Sequence, residues 1–248
     1  MHPAVARLSR TLAAPVGWLV QALFPCRCVS CGTFGAWCCP ACLAQVWYPR
    51  TLTCPACGVS DALGAFCPNC RGNLALRGVW APLPYGHPVV RELLRAYKYE
   101  YVRELEPVLV NLLAATLRTY ALPPAWGAVP RNAWVLCPVP LAPKRLRSRG
   151  FNQTETLARA LAERTNLAWQ NLLERTRSTK PQSDITDHAK RMANVQGAFC
   201  LSHGADVRGR AVILLDDVYT SGSTLEACAA ELRRGGAAEV WGLAVAKG

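Results

Sequence analysis

The chain has 248 residues, 51% of them apolar and 18% charged, with a formal charge of +12. That length holds one large core or two modest domains, and that composition excludes a generally disordered chain. The charge is spread, +4 up to Ala75 and +8 beyond it, which excludes a basic tail. It favours polyanions such as nucleic acid or phosphorylated substrates, although charge alone serves solubility equally well.

Arg7 and Arg10 followed by residues 11–24 have the outline of a signal peptide. Pro15 and Gly17 interrupt the apolar run, and Leu23-Phe24-Pro25-Cys26 is a poor cleavage site. No 18 apolar residues run uninterrupted, so no membrane span is expected and the chain is read as cytoplasmic. Residues 4–23 read as an amphipathic helix packed on the protein, with membrane association as the lesser reading.

Ten of the 13 cysteines lie from Cys26 to Cys70. They form four Cys-x-x-Cys knuckles: Cys28/Cys31, Cys39/Cys42, Cys54/Cys57 and Cys67/Cys70. Two residues between cysteines let both thiolates reach one metal, and two knuckles complete a tetrahedral four-sulfur site for which zinc is the expected ion. Four knuckles therefore predict two structural zinc sites. Sequential pairing is preferred and interleaved pairing stays open. Cys26 and Cys38 are spare thiols that could replace Cys28 and Cys39. Disulfides and an iron–sulfur cluster are the rival readings, the first requiring an oxidising compartment. So short a segment buries little core, so metal binding should supply much of its folding free energy.

Composition changes near residues 71–77, dividing a metal-binding front (1–75) from a larger domain (76–248). In the latter, 78–85 is a strand candidate. Residues 89–98 carry Val90, Leu93, Leu94 and Tyr97 at helical spacing, and 105–120 is a second amphipathic helix. A Pro- and Gly-rich loop over 122–131 precedes a strand at 133–137. A helix is expected over 151–164, short strands over 172–176 and 198–201, and a last strand over 240–246. Strands alternating with helices predict an α/β fold with a mainly parallel central sheet. Cys137, Cys200 and Cys228 read as buried thiols. Residues 175–191, polar and basic, read as a mobile loop or a plain linker.

The most informative segment is 212–224. Four apolar residues, Val212 to Leu215, run into Asp216 and Asp217, then into Thr220, Ser221, Gly222, Ser223 and Thr224, and a helix over 225–234 follows. The apolar run suits a strand covered on both faces. Adjacent carboxylates are costly to bury, so they belong at its C-terminal edge, where open α/β sheets bind ligands. Gly222 permits close backbone approach, and hydroxyls plus the free N–H groups of a first helical turn hold an anion. Diol or metal at one end and phosphate at the other describe a phosphorylated ribose. A second cationic segment follows the 133–137 strand: Lys144, Arg145, Arg147 and Arg149, leading into Gly150. It reads as a basic turn that could balance a leaving pyrophosphate, or as a plain basic surface loop.

The 212–224 segment resembles the phosphoribosyl pyrophosphate (PRPP) signature of type I phosphoribosyltransferases. The resemblance implies that Asp216 and Asp217 contact ribose and that residues 220–224 hold its 5′-phosphate. Tyr219 departs from the aliphatic residue usual there. Thr220 stands where purine-salvage members often carry an aspartate base, which argues against a purine acceptor. Leu23-Phe24-Pro25, Ala96-Tyr97-Lys98-Tyr99, the block from Pro138-Val139-Pro140 to Gln153, and Arg175-x-Arg177-x-x-x-x-Gln182 followed by Arg191-x-x-Asn194 narrow this. Together they resemble the ComF family, phosphoribosyltransferase-like proteins with an N-terminal zinc module linked to bacterial competence and DNA uptake. The interval from Gln182 to Asn194 is about one residue longer than that pattern.

The resemblance implies PRPP binding with Mg²⁺, Lys144, Arg145 and Arg149 serving the pyrophosphate, and single-stranded DNA and other competence proteins as partners. The alternative is an active Mg²⁺-dependent phosphoribosyltransferase on an unidentified acceptor, with no DNA role; no residue presents itself as general base. Trp37, Trp47, Tyr48 and Trp80 are candidates to stack DNA bases, against the more ordinary expectation that they are small-domain core.

Overall fold

The computed structural model describes residues 26–49, 51–60, 63–120, 130–179 and 187–248. The helix expected over 4–23, the Leu23-Phe24-Pro25 motif, Gln182 and most of the 122–131 loop lie outside them. The cysteine-rich part contributes two one-turn helices, α1 (Pro40–Leu43) and α2 (Pro68–Arg71). Each starts with a proline directly after a cysteine, where the missing N–H costs nothing. The chain continues through β1 (Gly78–Trp80), β2 (Leu83–Pro84), α3 (Pro88–Tyr99), α4 (Glu106–Tyr120), β3 (Trp134–Pro138), α5 (Pro143–Arg149) and α6 (Gln153–Thr165). Then come β4 (Ala168–Trp169), β5 (Leu173–Arg175), α7 (His188–Val195), β6 (Phe199–Leu201), β7 (Ala211–Tyr219), α8 (Ser223–Arg234) and β8 (Glu239–Lys247).

The main sheet is parallel, in the order β1-β8-β7-β3-β4, with β2 also paired to β8. Side chains alternate between its faces. Ala211, Ile213 and Leu215 of β7 enter a core with α3, α4 and α6, while Val212 and Leu214 enter a second core with α8. The connection leaving β3 leads outward to β4, and the one leaving β7 leads the other way to β8. The topological switch therefore falls between β3 and β7, where the two connections part and leave a crevice.

Five elements differ from the sequence expectation. The acidic pair does not end its strand: β7 continues to Tyr219 because the long β8 goes on pairing with it, from Asp216↔Ala244 to Tyr219↔Lys247. Pairing with β3 stops at Pro138↔Leu215, so the β3-facing edge of β7 opens at the aspartates. The basic segment expected as a turn is helix α5, started by Pro143 and stopped by Gly150 at φ 76°. The strands near 172–176 and 198–201 do not join the main sheet but pair antiparallel with each other, Leu173 opposite Leu201. The polar 175–191 segment leads into a helix, α7, that its composition does not announce. The Asp187 side chain caps it by accepting the Lys190 N–H at 2.8 Å. No helix among the described residues is long and apolar enough to cross a membrane.

Candidate functional site

The crevice at the switch point is a cleft of about 330 Å³. Its floor is the end of β7, with Asp216 and Asp217. One wall is the 220–224 loop leading into α8; the other is the segment after β3, with Arg145 and Arg149 of α5. Sequence reasoning names these residues from two distant segments, and the fold brings them to one cavity. Lys144 is exposed and is not among the described residues that line it.

The loop is built to receive an anion. Gly222 caps α8 in the left-handed conformation, φ 75°, and offers no side chain to the first-turn N–H groups. A β-carbon at Gly222 would lie 2.8 Å from Tyr219 Cε2, so the loop rests directly on that ring. Ser223 is buried, and its hydroxyl lies 2.9 Å from that of Ser221. Tyr219, the departure from the type I pattern, is therefore the shelf beneath the loop.

The carboxylates are held unequally. Asp217 Oδ1 pairs with Lys98 Nζ at 2.8 Å, both side chains 16% exposed. Burial opposes the Lys98 charge, but Asp217 and Asp216 outweigh it and raise the ammonium's pKa. Burial, then the charge of Asp217 beside it, pushes the Asp216 carboxyl up to about 7. The Asp217 N–H, donating to Asp216 Oδ1 at 2.8 Å, opposes that rise.

Lys98 is a site residue that the sequence reading misses, although its Ala96-Tyr97-Lys98-Tyr99 motif stands out. Arg175 and Arg191 also line the cleft. Arg175 is pulled down by burial, and its Nε lacks a partner among the described residues. Gln153 ties the wall together. It accepts from Arg149 at 2.8 Å and donates to the Lys98 carbonyl at 3.4 Å.

The cysteines fall into two sets, Cys28, Cys31, Cys39 and Cys42, and Cys54, Cys57, Cys67 and Cys70; within each, all four sulfurs lie within 4.8 Å of one another. Pairing is therefore sequential, with Cys26 and Cys38 outside both sets. Cys31 and Cys39 are 3.6 Å apart, and Cys57 and Cys67 3.7 Å. A tetrahedron with bonds of about 2.3 Å to zinc has edges of about 3.8 Å, so the donors fit that ion. The two sets share one design. Cys39 N–H donates to Cys28 Sγ and Cys67 N–H to Cys54 Sγ, both at 3.4 Å. Burial disfavours the Cys54 thiolate, but the N–H groups of Cys57, Cys67 and Ala56 outweigh it and bring the thiol down to about 6, ready for a metal.

Of the four aromatics considered for base stacking, Trp80 is core, stacked on Trp241 at 4.4 Å. Trp37 and Tyr48 are partly buried against the α4 side, and Trp47 is 66% exposed.

No protein-family model matches the chain. Among characterised proteins it is 26% identical over 195 residues to "Competence protein ComFC" of Bacillus subtilis (strain 168), covering 75% of this chain and 74% of that one. It is 35% identical over 113 residues to "Competence protein F" of Haemophilus influenzae, 44% and 49% of the two chains. The chain is thus similar to competence proteins of the ComF kind. It is also 38% identical over 106 residues to "DNA utilization protein YhgH" of Escherichia coli O157:H7, where it covers 42% of itself and 45% of the relative. The chain thus spans about half the length of the curated relatives it matches first. Among solved structures, a glutamine PRPP amidotransferase from B. subtilis aligns with 61% of this chain and 30% of its own, at 19% identity and a TM-score of 0.39. The strand order, not that likeness, defines the fold.

Proposed function

We propose that this chain is a ComF-family protein that binds PRPP with Mg²⁺ in the switch-point cleft and serves in natural competence, in the uptake and handling of single-stranded DNA. One observation carries the reading. A carboxylate pair, a hydroxyl-rich loop at a helix N-terminus with no side-chain cap, and Arg145 with Arg149 meet around a single cavity. These groups match, in order, a ribose diol, a 5′-phosphate and a pyrophosphate. Mg²⁺ bound there supplies charge neutralisation of the pyrophosphate, and Asp216 and Asp217 are the residues to hold it with its ligand. The names of the relatives support the DNA role. Each four-cysteine set holds one structural zinc ion, and a reducing compartment such as the cytoplasm keeps such thiols available.

Isothermal titration with PRPP and Mg²⁺ tests the site, with Asp217→Ala as the control. The expected result is saturable heat in the wild type and little in the variant; no heat in the wild type overturns the proposal. A pyrophosphate-release screen against amines and bases separates holding PRPP from turning it over.

A further inference from the structure

We propose that the outer rim of this cleft, formed by the end of α3 and by α5, is where a single strand of nucleic acid lies, its bases on Tyr99 and Tyr101 and its phosphates on the α5 cations. This rests on the DNA half of the reading above and assigns it a surface.

The rim carries what a single strand needs: flat rings at the surface with cations beside them. Tyr99 is 64% exposed and Tyr101 45%. Both follow closely on Lys98; Tyr99 itself lines the cleft, and Tyr101 lies outside its lining. The Arg149 guanidinium sits 5.3 Å from the centre of the Tyr99 ring. Next to them, Arg103 lies 4.2 Å over Phe151, which meets Tyr97 edge-on. Tyr101 is held at φ +58°, a backbone conformation that costs a bulky residue of order 1–3 kcal/mol and clusters at functional positions.

The charge is left open. Arg91 and Arg95 of α3 are paired with Glu92 and Glu100. Among the described residues, no carboxylate pairs with Arg103, Lys144, Arg145, Arg147 or Arg149. Lys144 and Arg147 are exposed and do not line the cleft, so the cleft reading does not account for them. Phosphates spaced along a strand do account for them. Rings available at the surface select a single strand, because bases within a duplex are already stacked on one another.

Fluorescence anisotropy with a short labelled oligothymidine across a salt series, with circular dichroism to confirm folding, tests the assignment. Each of Tyr99→Ala and Tyr101→Ala should weaken binding by about 5- to 100-fold while leaving the salt slope unchanged, and Tyr99→Phe should restore it. Arg147→Ala should lower the salt slope by about 1. Tyr101→Ala and Arg147→Ala, which lie off the cleft, should leave the heat of PRPP binding as in the wild type. Three results overturn the rim: no binding at low salt, a duplex held as tightly as the single strand, or full binding in the Tyr99→Ala/Tyr101→Ala double variant. The last, combined with loss in Trp47→Ala, moves the strand to the first four-cysteine unit. Absence of PRPP heat alongside the expected DNA results sinks the PRPP reading and leaves the rim standing.

Discussion

The two four-cysteine units share their Cys-x-x-Cys knuckles, their proline-started helical turn and their N–H···S bonds, yet they rest on different parts of the molecule. The first packs with α3 and α4: Cys28, Cys39 and Cys42 join that core, and Tyr48 donates to the Leu112 carbonyl at 2.6 Å. The second packs against the elements that line the cleft. Cys54 shares a core with Tyr219 and with Leu225 of α8. Lys247 Nζ donates to the Pro55 carbonyl at 3.1 Å, and the Gly248 N–H donates to the Tyr219 carbonyl at 2.8 Å. Glu226, in the first turn of α8, accepts the Ala75 N–H at 2.6 Å and the Leu76 N–H at 3.2 Å. Tyr219 thus has the 220–224 loop on one side and the second unit on the other. The same metal-binding unit, used twice, clamps a helix in one place and buttresses the loop in the other.

The largest effect should come from breaking one unit at a time. Cys57→Ser and Cys31→Ser remove matched, exposed ligands. Each should cost one zinc by metal analysis and lower the melting temperature, because zinc binding is a large share of such a unit's folding free energy. Only Cys57→Ser should also weaken PRPP binding, by about tenfold or more; equal PRPP affinity in the two variants breaks the distinction. Gly222→Ala should come next. Its φ of 75° and the 2.8 Å approach to Tyr219 add strain of about 1–3 kcal/mol to the loop, read as weaker PRPP binding with both zinc ions retained. Tyr219→Val should act in the same direction but less strongly, with Tyr219→Phe close to wild type; no difference between the two would deny the shelf its role.

Asp216→Asn sharpens the comparison from inside the cleft, away from both units. The Asp216 carboxyl stands at about 7, above its ordinary 3.8. Its contribution to stability is complete below the ordinary value and is lost as the pH rises through about 7. Asp216→Asn should therefore raise the melting temperature at pH 8 more than at pH 5, while weakening PRPP and Mg²⁺ binding. A melting-temperature difference independent of pH contradicts the assignment.

What could be read from the sequence was local. The Cys-x-x-Cys knuckles and the 212–224 segment each place their groups within a few residues, where backbone geometry leaves little freedom. The apolar run of β7 and the helical spacing of α3 were legible for the same reason. The failures had physical causes too. The four cations of 144–149 obscured a helix whose boundary signals, Pro143 and Gly150, were both present. Trp80 is core, as the more ordinary expectation has it, and its partner Trp241 is supplied by β8 from the far end of the chain.

The sequence by itself determined that this chain has thiol sets fit for two zinc ions and a buried apolar strand that leads into an acidic pair and a small, hydroxyl-rich loop. Only the tertiary structure decided that Lys98 neutralises Asp217, that Arg145 and Arg149 reach the cleft while Lys144 does not, and that the second four-cysteine unit supports the 220–224 loop. Those contacts join residues far apart along the chain. Burial and the crossing of strands fix them, and no local spacing encodes either.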